Sequence, residues 1–154
     1  MYKLVVILFF LFGCSNSSSE INLITNSTNE VRFDVVEKAI FFEQSIPDNV
    51  KKYVEMWFNE KVKVDGFDGK ILFSINDYHE KIYNIEDGKK IEVTMTIFIK
   101  KETNNKLNSK NYSISIKEFS SITGDFSIND LDALKINTQK NLIIRLSKNI
   151  ESKI

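Results

Sequence analysis

Ile91-Glu92-Val93-Thr94-Met95-Thr96-Ile97-Phe98-Ile99-Lys100 is the stretch that decides the fold. Apolar side chains occupy every odd position, and polar ones occupy every even position except Phe98. A period of two places successive side chains on opposite faces of a strand, so one face is built for burial and the other for water. Such clean alternation is the mark of an antiparallel sheet covered on one side only.

Similar strands flank this one. Upstream, Ile71, Phe73 and Ile75 alternate within Lys70 to Tyr78, and Glu86-Asp87-Gly88 carries the chemistry of a hairpin turn. Downstream, Thr103-Asn104-Asn105 reads as a turn, followed by Tyr112, Ile114 and Ile116 alternating with Ser113, Ser115 and Lys117. Nearer the N-terminus, Val31, Phe33 and Val35 alternate with Arg32 and Asp34 and lead into an apolar run at Ala39–Phe42, read as one strand over 31–42.

Two segments switch to helical spacing. Val50, Tyr53, Val54, Trp57 and Phe58 predict a helix over 46–62, with Ser45 and Asp48 as its capping box and Pro47 in the first turn. Ser127 with Asp130 caps a second helix over 128–150, whose stripe is Leu131, Leu134, Leu142, Leu146 and Ile150. The order strand, helix, three strands, helix predicts an α+β two-layer sandwich. Its four-stranded, mainly antiparallel sheet would carry both helices on one face.

Composition bounds the function. The 154 residues hold 21 basic and 21 acidic side chains, one histidine and one cysteine. A balanced charge gives no global attraction to nucleic acid. One cysteine allows neither an internal disulfide nor a thiolate zinc site. His79 has no matched nucleophile and cannot form a histidine metal site alone. Asp65-Gly66-Phe67-Asp68-Gly69 lacks the third acidic position and distant glutamate of a calcium loop and reads as two adjacent turns. No phosphate-cradling loop is present, and the reading assigns neither an enzymatic activity nor a cofactor or metal.

The N-terminus carries a second message. Lys3, an apolar stretch from Leu4 to Phe12 and Gly13 form an export signal over 1–13. Its apolar part is far shorter than the roughly 20 residues a spanning helix needs. Leu11-Phe12-Gly13-Cys14 resembles the lipobox of bacterial lipoproteins, which implies diacylglyceryl and palmitate-type acylation of Cys14. Two or more acyl chains hold a protein firmly on a membrane, where one does not. Ser15, in place of an aspartate, implies outer-membrane sorting by the same resemblance. Residues 14–30, rich in Ser, Asn and Thr, read as the lipidated cysteine and a flexible leash, leaving 31–154 as one periplasmic domain.

The signal with Cys14, the element order and the long helix after Ser127 resemble the small α/β lipoproteins of Gram-negative envelopes. These include the lipopolysaccharide-assembly lipoprotein and the auxiliary lipoproteins of lipid-transport systems. The resemblance implies a non-enzymatic accessory or scaffold role beside an envelope barrel or transporter component, or else binding of lipid or lipopolysaccharide. Two sets of residues are expected to serve these roles. Leu72, Tyr78, Phe98 and Phe119 would share the open sheet face as a partner patch. Lys100, Lys101, Lys106 and Lys110 would meet an anionic headgroup, unless they only blunt a strand edge.

Overall fold

The computed structural model describes residues 26, 28–104 and 109–154. Its strands are β1 (Val31–Phe33), β2 (Glu37–Phe42), β3 (Val62–Val64), β4 (Lys70–Ile85), β5 (Gly88–Glu102) and β6 (Lys110–Thr123). The helices are α1 (Asp48–Lys61), α2 (Ile128–Ile144) and α3 (Leu146–Glu151). The fold is α+β, with a four-stranded mixed sheet in the order β2-β4-β5-β6. β2 runs parallel to β4 and the other two pairings are antiparallel.

The alternation in β5 does what its period requires. Ile91, Val93, Met95, Ile97 and Ile99 are all at most 1% exposed and form the middle of the core. Phe73 beside them is ringed edge-to-face by Phe33, Trp57 and Phe58 at 5.2–6.1 Å, which seats α1 on this face. α2 packs on β5 and β6. Burying a large apolar side chain is worth about 1.5–3 kcal/mol, so this row and the helices over it carry most of the stability.

Four local expectations need correction. The strand expected over 31–42 is two strands: the chain turns at Asp34–Val36, where Val35 N–H donates to the Phe33 carbonyl at 2.9 Å. β1 then pairs in parallel with β3 in a separate two-stranded sheet. The capping box at Ser45 does not form, because Pro47 itself takes the extended N-cap conformation and α1 starts after it. The sheet strands run on well past the expected ends, to Ile85 and Thr123. The long C-terminal helix breaks at Arg145 into α2 and α3. The Ser127–Asp130 capping box is present as expected.

The expected leash joins the body before Val31. Thr28 is buried, and the Asn29 carbonyl accepts a hydrogen bond from the Ser147 hydroxyl in α3 at 2.8 Å. That hydroxyl in turn accepts from the Trp57 indole at 2.9 Å, so a chain of bonds links Asn29, α3 and α1.

Candidate functional site

The sheet face opposite the helices is the surface left open, and cross-strand register decides which residues meet there. Phe41, Ser74, Phe98 and Ser113 lie in one row across β2, β4, β5 and β6. Leu72 and Lys100 occupy the next row. Phe41 and Phe98 are 57% and 43% exposed, while Leu72 is half-buried between them. Together they line a depression of about 270 Å³ rimmed by Lys100 and Asn111.

Phe119 shares this face but not this site. It stands opposite Glu92, six residues along β5 from Phe98, or roughly 20 Å at about 3.3 Å per residue. Between them lies a polar belt of Thr94, Thr96, Ser115 and Lys117, with Lys117 paired to Glu92 at 2.9 Å. That lysine holds the Glu92 carboxyl below its ordinary range, through the hydrogen-bonded contact first. At Phe119 the Lys90 ammonium sits 4.5 Å above the ring. His79 lies in the belt as well, exposed and opposite Thr94.

Tyr78 corrects the expectation that it shares a face with Leu72. Two residues, Asp77 and Tyr78, oppose Met95 alone, a β-bulge in which Asp77 adopts φ +50°. The extra residue reverses the alternation, so Tyr78 points under the helices and is only 9% exposed. There its hydroxyl accepts from Gln139 Nε2 at 3.0 Å and donates to Glu80 at 3.2 Å. Gln139 also reaches Glu80 at 3.1 Å and accepts from Asn49 of α1 at 2.6 Å. Lys135 pairs with Glu80 at 2.7 Å. Burial, and then the Glu80 charge, push the phenol pKa well above its ordinary value, so the hydroxyl stays a donor.

The lysines also separate. Lys100 faces outward and pairs with Glu102, which Lys70 also contacts at 3.1 Å. Those two cations hold the Glu102 carboxyl down, Lys100 more than Lys70. Lys101 and Lys110 stand opposite each other at the end of the sheet, on the helix side, and line a cleft of about 700 Å³ with Arg32, Phe33, Phe67 and Ile71. Among the described residues neither of those two lysines has an acidic partner within 4 Å; Arg32 is paired with Glu30 at 2.7 Å and Asp65 at 3.5 Å. Asp34 and Asp68 line the cleft as well. Cys14 and Lys106 lie outside the described residues.

Sequence reading missed Phe41, Arg32 and Phe67. Phe41 sat inside an apolar run whose register only the parallel pairing with β4 fixes. Arg32 and Phe67 come together through a loop contact between distant segments, which no periodicity signals. Among the described residues no cluster of three or more His, Cys, Asp or Glu could hold a metal ion. No helix among them is long and apolar enough to cross a membrane.

No family model matches the chain, and no curated protein does. Among solved structures, a minor lipoprotein from Acinetobacter baumannii is similar at TM-score 0.48 and 12% identity, over 75% of this chain and 89% of that one. The rare lipoprotein B from Shewanella oneidensis is similar at TM-score 0.47 and 8% identity, over 76% and 95% respectively.

Proposed function

We propose that this chain is a lipid-anchored, non-enzymatic accessory protein of the bacterial envelope. It stands on the periplasmic face of the outer membrane and holds an envelope protein, a barrel or transporter component, on the open face of its sheet. One observation carries the reading: Phe41, Leu72 and Phe98 converge on a face that no helix among the described residues covers. Phe98 is the single break in the polar side of β5, so the sequence departs from its own pattern at the point where the patch forms. The lipobox-like Leu11-Phe12-Gly13-Cys14 supplies the tether.

Affinity capture from detergent-solubilised membranes tests this, using the full chain and its Phe98→Asp variant. The full chain recovers a stoichiometric envelope protein and the variant loses it. Phe98 is 43% exposed and lies on the open face, and matched thermal melts of the two chains establish that the variant is folded before capture. Equal recovery by both chains, or recovery of nothing from an envelope that contains the protein, would sink the reading.

The cleft favours a second reading, binding of an anionic lipid or lipopolysaccharide. Its wall combines Phe33, Phe67 and Ile71 with Lys101 and Lys110, which have no acidic partner among the described residues, the chemistry an acylated phosphate requires. Native mass spectrometry of the purified protein distinguishes the two. A retained lipid displaced in a Lys101→Gln, Lys110→Gln chain supports the second reading, and a lipid-free spectrum removes it.

A further inference from the structure

Phe67 is fully solvent-exposed, yet the loop that carries it is among the most tightly held in the molecule. Gly66 lies so close to Asp34 and Val35 that an added Cβ would stand 2.4 Å from the Val35 nitrogen. Gly69 has φ +79°, and a Cβ there would meet the Glu102 carbonyl oxygen at 2.2 Å. Backbone bonds complete the seat: Gly66 N–H to the Val35 carbonyl at 3.0 Å, and Val36 and Glu37 N–H to the Gly69 carbonyl at 3.2 and 3.3 Å. The Asp68 carboxylate accepts from Asn104 N–H at 3.2 Å. Two glycines that admit no side chain thus clamp both sides of an aromatic ring that touches nothing. The held backbone keeps the Phe67 ring at the mouth of the cleft.

The same end of the molecule carries Lys101 and Lys110, both without an acidic partner among the described residues, and the half-exposed Ile154. It is also the end nearest the leash. Asn29 is pinned to α3, and Arg32, three residues on, already lines the cleft. Cys14 and Thr28 are separated by 14 residue steps, which span at most about 50 Å when fully extended. The opposite end, the β4–β5 hairpin, lies along 16 residues of β4, roughly 50 Å away at about 3.3 Å per residue.

We propose that the end of the molecule bearing Phe67, Lys101 and Lys110 rests on the phospholipid surface that holds the anchor, with the Phe67 ring inserted at the interface. The anchored segment selects a bilayer as the occupant, because it joins the body at this end, with Arg32 of the cleft only three residues beyond Asn29. An exposed aromatic ring at a cleft that also carries Lys101 and Lys110, beside Asp34 and Asp68, suits the boundary between acyl chains and headgroups. Docking fixes the long axis of the sheet away from the membrane and presents the Phe41–Leu72–Phe98 patch sideways. The inference rests on the lipid-anchor part of the proposed function and is independent of the partner.

Acylated full-length protein in protein-free liposomes of phosphatidylethanolamine and phosphatidylglycerol provides the test. Phe67→Cys or Tyr83→Cys is labelled with an environment-sensitive fluorophore. The label at 67 shifts to the blue and is quenched by brominated lipid, whereas the label at 83 stays aqueous. An aqueous label at 67, or equal quenching at both sites, overturns the proposal. If it is aqueous on liposomes but buried in native membranes, the surface belongs to a protein and the bilayer is excluded. Intact mass reports acylation separately, so failure of the anchor reading is recognised as such. A second arm uses the leaderless full chain carrying Cys14→Ser, which is independent of the anchor. There Phe67→Ser lowers vesicle partitioning about tenfold or more and each Lys→Gln about fivefold, without a shift in melting temperature. Unchanged partitioning in all three variants overturns the proposal whatever the state of Cys14.

Discussion

Lys38 shows how one side chain can close an element. Its ammonium donates to the carbonyls of Phe58, Asn59 and Val62 at 3.0, 3.2 and 2.5 Å, at the C-terminal end of α1, where the Phe58 carbonyl also accepts from the Val62 N–H. The stem also brings the charge 4.9 Å from the Phe58 ring. Desolvation, and then Lys63, lower the pKa of this lysine, the signature of a cation drawn partly out of water. Replacing Lys38 with Met keeps the stem and removes the donor. Urea unfolding of that variant should show a loss of about 1–3 kcal/mol, the cost of leaving partly buried carbonyls unsatisfied.

At the scale of the element, α2 is the best announced helix in the chain and the one whose start responds to pH. Ser127 N–H and Oγ–H both donate to the Asp130 carboxylate at 2.8 and 2.7 Å, and Asp130 N–H donates back to Ser127 Oγ at 3.2 Å. The Ser127 hydroxyl, and then its backbone N–H, hold the Asp130 carboxyl below its ordinary 3.8. A carboxyl depressed in the folded state binds fewer protons there than in the unfolded chain. Its contribution is therefore present above the ordinary value and is lost as pH falls through the lower folded one. Ser127→Ala should cost about 1 kcal/mol at neutral pH. In thermal melts its gap from the unaltered chain should narrow as pH drops below the carboxyl range, and a constant gap would exclude this coupling. The far end of the same helix was less legible. The apolar stripe continues through Leu142, Leu146 and Ile150, all fully buried, so nothing in the pattern marks the break at Arg145.

At the scale of the whole molecule, the polar network under the helices ties three elements to one irregularity. Gln139 of α2 joins Asn49 of α1 to Tyr78 and Glu80 of β4, on the side of the bulge that reversed the alternation. Gln139 and Tyr78 at its centre are buried and its bonds share partners, so removing the central amide strands several groups together. Gln139→Leu should lower stability by about 1–3 kcal/mol, whereas Tyr78→Phe, which leaves the Gln139–Glu80 bond in place, should cost only about 1 kcal/mol. A double-mutant cycle between the two should give a coupling energy clearly different from zero. Additive losses would show that the amide and the phenol act separately. The open face responds to the same bulge, which withdraws Tyr78 and leaves Phe41 to complete the patch with Leu72 and Phe98.

The sequence by itself determined the class of the fold, the core row of β5, the cap of α2 and the exposure of Phe98 and Phe119. Each is written in spacing over a few residues, where period and capping chemistry act directly on the local chain. Tertiary structure alone decided the strand order, the parallel pairing of β2 with β4 and the turn that splits β1 from β2. It also fixed the side on which Tyr78 lies, the roughly 20 Å between Phe98 and Phe119, and the meeting of Arg32, Phe67, Lys101 and Lys110 at one end. The physical reason is that these features rest on pairing between distant segments, as at Asp77–Tyr78, where one extra residue moves the rest of β4 to the other face. The bulge sits at Asp77, a residue type that tolerates φ +50°, but the side on which Tyr78 then lies depends on the pairing with Met95 across the sheet.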